Sequence, residues 1–184
     1  MHLLPLPVEI CLAVMVLIAA GSDIRSRTIP NWLTVGGIVA GLALHSYASG
    51  WAGLKFSAAG LGVAALIFLP LFALRFLGGG DVKIMGAIGA LAGYENLLVI
   101  FIFDAILGGV VAVVMMIVRG RVKKTMSNLW QMVKALARGK APYKENEELE
   151  AGSERSLGMP RAVTIAAATL LILWLSRVPV PPGH

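Results

Sequence analysis

The stretch FLGGGDVKIMGAIGA, Phe76 to Ala90, decides the fold. Three glycines, a carboxylate and an ammonium stand between two apolar runs, and each of those runs is apolar enough to enter a lipid bilayer. The composition around this gap names the solvent. With 58% hydrophobic residues, 14% charged residues and a mean hydropathy of +0.81, the chain departs from soluble domains, which carry roughly 25% charged residues. Its 184 residues read as one integral membrane unit, 1–184, with apolar surface turned to lipid and to neighbouring helices. The single cysteine, Cys11, lies in the first apolar run, so no disulfide framework and no paired-cysteine zinc site is available.

Six apolar runs follow one another: Pro7 to Gly21, Trp32 to Tyr47, Phe56 to Leu77, Val82 to Gly93, Leu97 to Val118 and Ala162 to Leu175. They predict an all-α membrane protein, a bundle of six transmembrane helices. The third and fifth reach the ~20 residues of a full span and the others are short. Val82 to Gly93 is the shortest, at about 18 Å of helix. The first run ends in AAGS but has no Lys or Arg before it, with Arg25 and Arg27 following, which reads as a retained helix and not a cleaved signal.

An N-terminus outside, followed by six crossings, leaves only Lys55 and Arg177 of the 16 Lys and Arg at the outer face. The basic excess then lies inside, as the positive-inside rule requires. The net charge of +6 is explained by topology, and no basic face on a soluble domain calls for nucleic acid. A cytoplasmic loop spans about 119–161. Within it Asn128 to Gly139 has the pattern of a surface-lying amphipathic helix, and Lys144 to Ser156 is charged and free of aromatic residues. That loop either covers the site or connects two helices.

Three acids stand out from the solvated cluster at Glu145 to Glu154. Asp23 closes the first run and Asp81 opens the fourth, so six crossings set both at one depth on the cytoplasmic side. Two carboxyls at close range share a proton, which leaves one base and one acid. Asp104 falls about two turns into the fifth run, where an ionisable group is costly. It reads as a buried, hydrogen-bonded carboxyl joining helices, with a third catalytic acid as the alternative.

The flanks of the two acids carry a family resemblance. SDIRSRTIPNWLT, Ser22 to Thr34, and GGGDVK, Gly78 to Lys83, resemble the two signature segments of type IV prepilin peptidases, membrane aspartic proteases of the Gly-x-Gly-Asp class. The resemblance covers most of Ile10 to Val118. It implies a catalytic pair of Asp23 and Asp81, with no metal and no cofactor, at the cytoplasmic face of a bacterial inner membrane. It further implies type IV pilin-like precursors as substrates, cut between a short basic leader and the pilin helix. Lacking paired cysteines and a long cytoplasmic domain, the chain resembles the short, Tad-pilus type, and methyl transfer is not implied. In the last run, MPRAVTIAAA keeps Pro160 of the family's Pro-x-Gly but has Ala162 at the Gly position.

The supporting residues keep two readings each. Gly78 and Gly80 either offer bare backbone in unusual dihedrals to an extended substrate or merely connect. Lys83 either anchors at the head groups or acts on an aspartate and steers an acidic substrate residue. Pro30 and Asn31 belong to the start of the second helix, Asn31 satisfying backbone donors. Gly37 and Gly41, like Gly89 and Gly93, allow close helix crossings. From other classes, a proton-coupled transporter and a noncatalytic pilus assembly factor compete with the peptidase.

Overall fold

The computed structural model describes residues 4–118 and 161–177. These form four helices: α1 Leu6–Ser26, α2 Asn31–Ala73, α3 Gly79–Val118 and α4 Arg161–Arg177. No strand occurs among the described residues. The loop expected over about 119–161, up to the start of α4, with its stretches Asn128 to Gly139 and Lys144 to Ser156, lies outside them, as does Pro160.

The first three helices are long and apolar enough to cross a membrane, whereas α4 has 17 residues. Four helices thus stand where six separate ones were expected. The difference lies in α2 and α3, each of which contains a break. Straight, their 43 and 40 residues would run about 65 and 60 Å, twice the ~30 Å of a bilayer core. Helical geometry is interrupted at Ser49 and Gly50 in α2 and at Gly93 in α3. Gly50 has φ 56° and Gly93 φ 77°, values that only glycine takes without strain.

Both helices fold back at these breaks. Gly41 and Gly60, about 28 Å apart on a straight helix, lie against neighbouring stretches of one backbone, Gly41 against Ala90 and Leu91 and Gly60 against Gly89 and Gly93. Likewise Asp81 and Asp104, about 34 Å apart on a straight helix, interact electrostatically.

A break inside a bundle frees backbone groups that lipid cannot satisfy. The carbonyls of Ala90 and Leu91 lose their helical donors to the break at Gly93. Ser57 donates to the Ala90 carbonyl at 2.6 Å, and the His45 ring pairs with the Leu91 carbonyl at 2.8 Å. Asn96 donates to Ala92 at 3.1 Å. All three side chains are buried, and so is each remaining buried polar residue, Glu9, Thr34, Asp81 and Thr169, beside a partner of its own. Large apolar side chains such as Leu17, Leu66, Ile102 and Ile106 face outward, the inverse of a soluble surface.

The pairs α1 with α4 and α2 with α3 supply the main packing. Small residues bring the backbones close, with Gly37 against Met15 and Ala87, and Gly41 against Ala90 and Leu91. At one end of the bundle the buried Glu9 of α1 is paired with Arg177 of α4. At the other end α1 meets the start of α4, so the two helices run antiparallel.

Removing a side chain that satisfies the break should expose its importance. Ser57→Ala leaves the Ala90 carbonyl buried without its donor and is expected to cost about 1–3 kcal/mol. Gly93→Ala, strained at φ 77° and driven into the Phe56 ring, should cost more, while Gly62→Ala, which meets open space, should be neutral. Thermal unfolding of the purified protein in detergent gives the ranking.

Candidate active site

Asp23 lies in the last turn of α1. The helix stops at Arg27, whose left-handed φ of 52° turns its N–H back to the Asp23 carbonyl at 3.0 Å, a common helix ending. Ser22 locks the exit by donating to the Thr28 carbonyl at 2.8 Å, and Ile29 then packs beside Gly80. Pro30 takes the capping position of α2 in extended geometry. The chain therefore leaves α1 and enters α2 through a short, fixed turn.

Asp81 lies in the first turn of α3, its N–H bonded to the Gly78 carbonyl at 3.1 Å. It is only 9% exposed. A carboxylate at a helix N-terminus is favoured by the dipole, whereas one in the last turn, as Asp23 is, is disfavoured. The start of α4 offsets that disadvantage. The Ala162 N–H donates to Asp23 Oδ2 at 2.8 Å, and the neighbouring Arg161 donates through Nη1 to Asp81 Oδ2 at 3.0 Å. Two consecutive residues of one helix end thus hold both acids, one by backbone and one by side chain. Asp23 and Asp81 are close enough to interact electrostatically.

Asp104 belongs to the same cluster. It lies within electrostatic range of Asp81 and Arg161, near Thr164, one turn into α4. The sequence left its neighbours open, and the fold-back at Gly93 brings it within electrostatic range of Asp81.

Lys83 donates to Asn31 Oδ1 at 2.8 Å, tying the first signature segment to the second, and the cation paired with Asp81 is Arg161. Asn31 accordingly serves a side chain with its amide oxygen, where backbone donors were expected. The glycines also differ from expectation. Positive φ among the described glycines occurs at Gly50 and Gly93, and at none of Gly78, Gly79 and Gly80. A methyl group at each of these three would meet only ordinary contacts, the nearest at 3.8, 3.5 and 3.4 Å.

Sequence reasoning passed over Arg161 and Thr164, and noted Ala162 only as a departure from the family's Pro-x-Gly. The available signal was a cation and a small residue opening an apolar run when two interior acids still lacked partners. No group of three or more metal-ligating side chains occurs among the described residues.

The arrangement, two carboxyls on different helices meeting beside a glycine-rich junction, coincides with the outcome of comparison with known families. Residues 10–113 match the model of the type IV leader peptidase family. The chain belongs to that family. No curated protein and no solved structure matched it in the same comparisons. Both acids of the pair lie inside the matched region, while Arg161, Ala162 and Thr164 lie beyond it. A membrane-embedded peptidase that acts on pilin precursors in general is what membership implies.

Because no glycine of the Gly78 to Gly80 run is required by backbone conformation, alanine at each position should leave folding intact. Thermal unfolding of Gly78→Ala, Gly79→Ala and Gly80→Ala should fall within about 0.5 kcal/mol of wild type, the usual range where no special feature is lost. Strong destabilisation by any of them would show that the junction has a conformational demand beyond these contacts.

Proposed function

We propose that the protein is an aspartic endopeptidase that removes the short basic leader of type IV pilin-like precursors, with Asp23 and Asp81 as its catalytic pair. The observation that carries this reading is the first turn of α4, which holds the two signature acids with adjacent residues, Arg161 and Ala162. In the reaction one carboxylate takes a proton from water as the water oxygen attacks the scissile carbonyl carbon. The other, protonated, gives its proton to the carbonyl oxygen. Collapse of the tetrahedral intermediate breaks the C–N bond and the amine leaves with a proton from the pair. Like charges at close range favour the singly protonated state this requires.

Arg161 must leave Asp81 for this to happen. Its side chain is 52% exposed, so an incoming peptide can displace it. Gly78 and Gly80 contribute bare backbone at the entrance, suited to pair with an extended substrate. Lys83 holds Asn31 and so fixes the junction that carries Asp81.

The reading includes an orientation. The two breaks divide α2 and α3 so that the chain crosses six times with its N-terminus outside, and the site opens to the cytoplasm of a bacterial inner membrane. The basic residues support it, since Lys55 and Arg177 alone fall on the other side. The resemblance of the two signature segments, in a sequence whose single cysteine is Cys11, extends the reading to a Tad-pilus type of substrate system.

Purified protein in detergent, given a prepilin with its leader and no ion gradient, should yield the shortened product by mass. Asp23→Asn and Asp81→Asn should each reduce cleavage below about a hundredth of wild type while membrane insertion is unchanged, because the amide neither accepts nor shares the proton. A variant retaining more than a tenth of the activity would remove that aspartate from the mechanism. Gradient-driven ion flux in liposomes with no prepilin cleavage would instead favour a transporter.

A further inference from the structure

α4 holds the two acids with its first turn, and it is tied to α1 at its other end as well. Glu9, in the first turn of α1, has a side chain only 8% exposed, and its carboxylate accepts from two nitrogens of Arg177, Nε and Nη2. Each charge suits its own helix, an anion in a first turn and a cation in a last one. The ties at the two ends also match in spacing. Glu9 and Asp23 are about 21 Å apart along α1, and Arg177 and Ala162 about 22 Å apart along α4. Between the ties α4 buries Ile165, Ala166, Ala168, Thr169 and Ile172, small or apolar side chains whose contacts tolerate a slip along the axis. Its hydroxyls fix no register, because Thr164, Thr169 and Ser176 each donate to a carbonyl of α4 itself. In lipid, moreover, no hydrophobic force drives one helix onto another. A buried ion pair adds little stability over apolar side chains of similar volume, and its best-attested use is to specify register.

We propose that Glu9 and Arg177 are positioning residues for the aspartate pair: from the far end of the helix they set the axial register of α4 on α1, which delivers the Ala162 N–H to Asp23 and Arg161 to Asp81. The inference rests on the reading of Asp23 and Asp81 as catalytic. It removes a difficulty in that reading. Asp81 must release Arg161 to react, and α4 then loses one of its two ties at the site. The pair of Glu9 and Arg177 takes no part in that exchange, so it keeps the Ala162 N–H on Asp23 while Arg161 moves. A slip of one residue away from Asp23, about 1.5 Å, would stretch this 2.8 Å bond beyond hydrogen-bonding distance.

The test uses full-length protein and prepilin cleavage, with kcat and KM measured per mole of folded enzyme. Glu9→Gln and Arg177→Gln are each expected to lower kcat about tenfold with KM within about twofold, and the double variant to be no worse than the weaker single one, since the two side chains act as a unit. Glu9→Leu/Arg177→Leu separates register from stability. Apolar side chains replace a buried ion pair with little loss of stability, so thermal unfolding should stay near wild type while kcat still falls about tenfold. Lys55→Gln, which removes a cation from the Trp51 ring, should leave kcat at wild type. A second readout is independent of cleavage. A thiol introduced as Ala162→Cys in Cys11→Ser protein is at a fully buried position and should be alkylated several-fold faster when Glu9→Gln is added. Wild-type kcat in both Glu9→Gln and Arg177→Gln, wild-type kcat in folded Glu9→Leu/Arg177→Leu, or unchanged alkylation would overturn the proposal. Activity surviving in Asp23→Asn would instead sink the catalytic reading, with the alkylation result still deciding whether Glu9 and Arg177 set the register of α4.

Discussion

The hydrogen bond from the Ala162 N–H to Asp23, 2.8 Å long, is the interaction on which the arrangement depends. An acid in the last turn of a helix opposes the helix dipole. The free N–H groups at the start of another helix relieve it directly. That requirement brings α4 antiparallel to α1, and the buried pair of Glu9 and Arg177 secures the same packing at the far end. With α4 so held, its first residue, Arg161, lies on Asp81, and the two acids come within electrostatic range of each other.

The same constraint, that no polar group can be left unpaired in lipid, explains how so short a helical stretch as Val82 to Gly93 is tolerated. The carbonyls freed by the break at Gly93 are received by Ser57 and His45 from the two halves of α2. Glycines at the crossing make this possible, because Gly41 and Gly60 let both halves of α2 approach the Gly89 to Leu91 backbone. The break then returns the chain toward the level of Asp81. Without it Asp104 would stand far from the site. Function and fold meet at one residue, since the conformation of Gly93 sets which acids cluster.

Much of this was legible in the sequence. Composition and the apolar runs specified an all-α membrane protein, and the segments around Asp23 and Asp81 pointed to the family that the family match bears out. Helix count was less legible, because hydropathy marks apolar runs and not whether a break separates them into helices of their own. Asp104 was legible as an interior carboxyl, but counting along its own run does not say which groups of other helices lie near it. Arg161 went unnoticed because an arginine opening an apolar run satisfies the positive-inside pattern already, and nothing local says which acid it meets. Lys83 and the Gly78 to Gly80 run kept two readings each, because proximity in sequence does not say what a side chain or a bare backbone meets. The lysine beside Asp81 serves Asn31, and the glycine conformations needed by the fold occur at Gly50 and Gly93.

The central claim is that one helix end gathers two acids distant in sequence into a pair. Its most direct test is cross-linking of Ile29→Cys/Gly80→Cys, a pair in contact beside the two acids, in Cys11→Ser protein that keeps Asp23 and Asp81, held in membranes, with a short thiol-directed reagent. The account predicts efficient intramolecular cross-linking that falls several-fold when Arg161→Gln is added to loosen α4. An absence of cross-linking in well-folded protein, with both thiols shown to react singly, would contradict it.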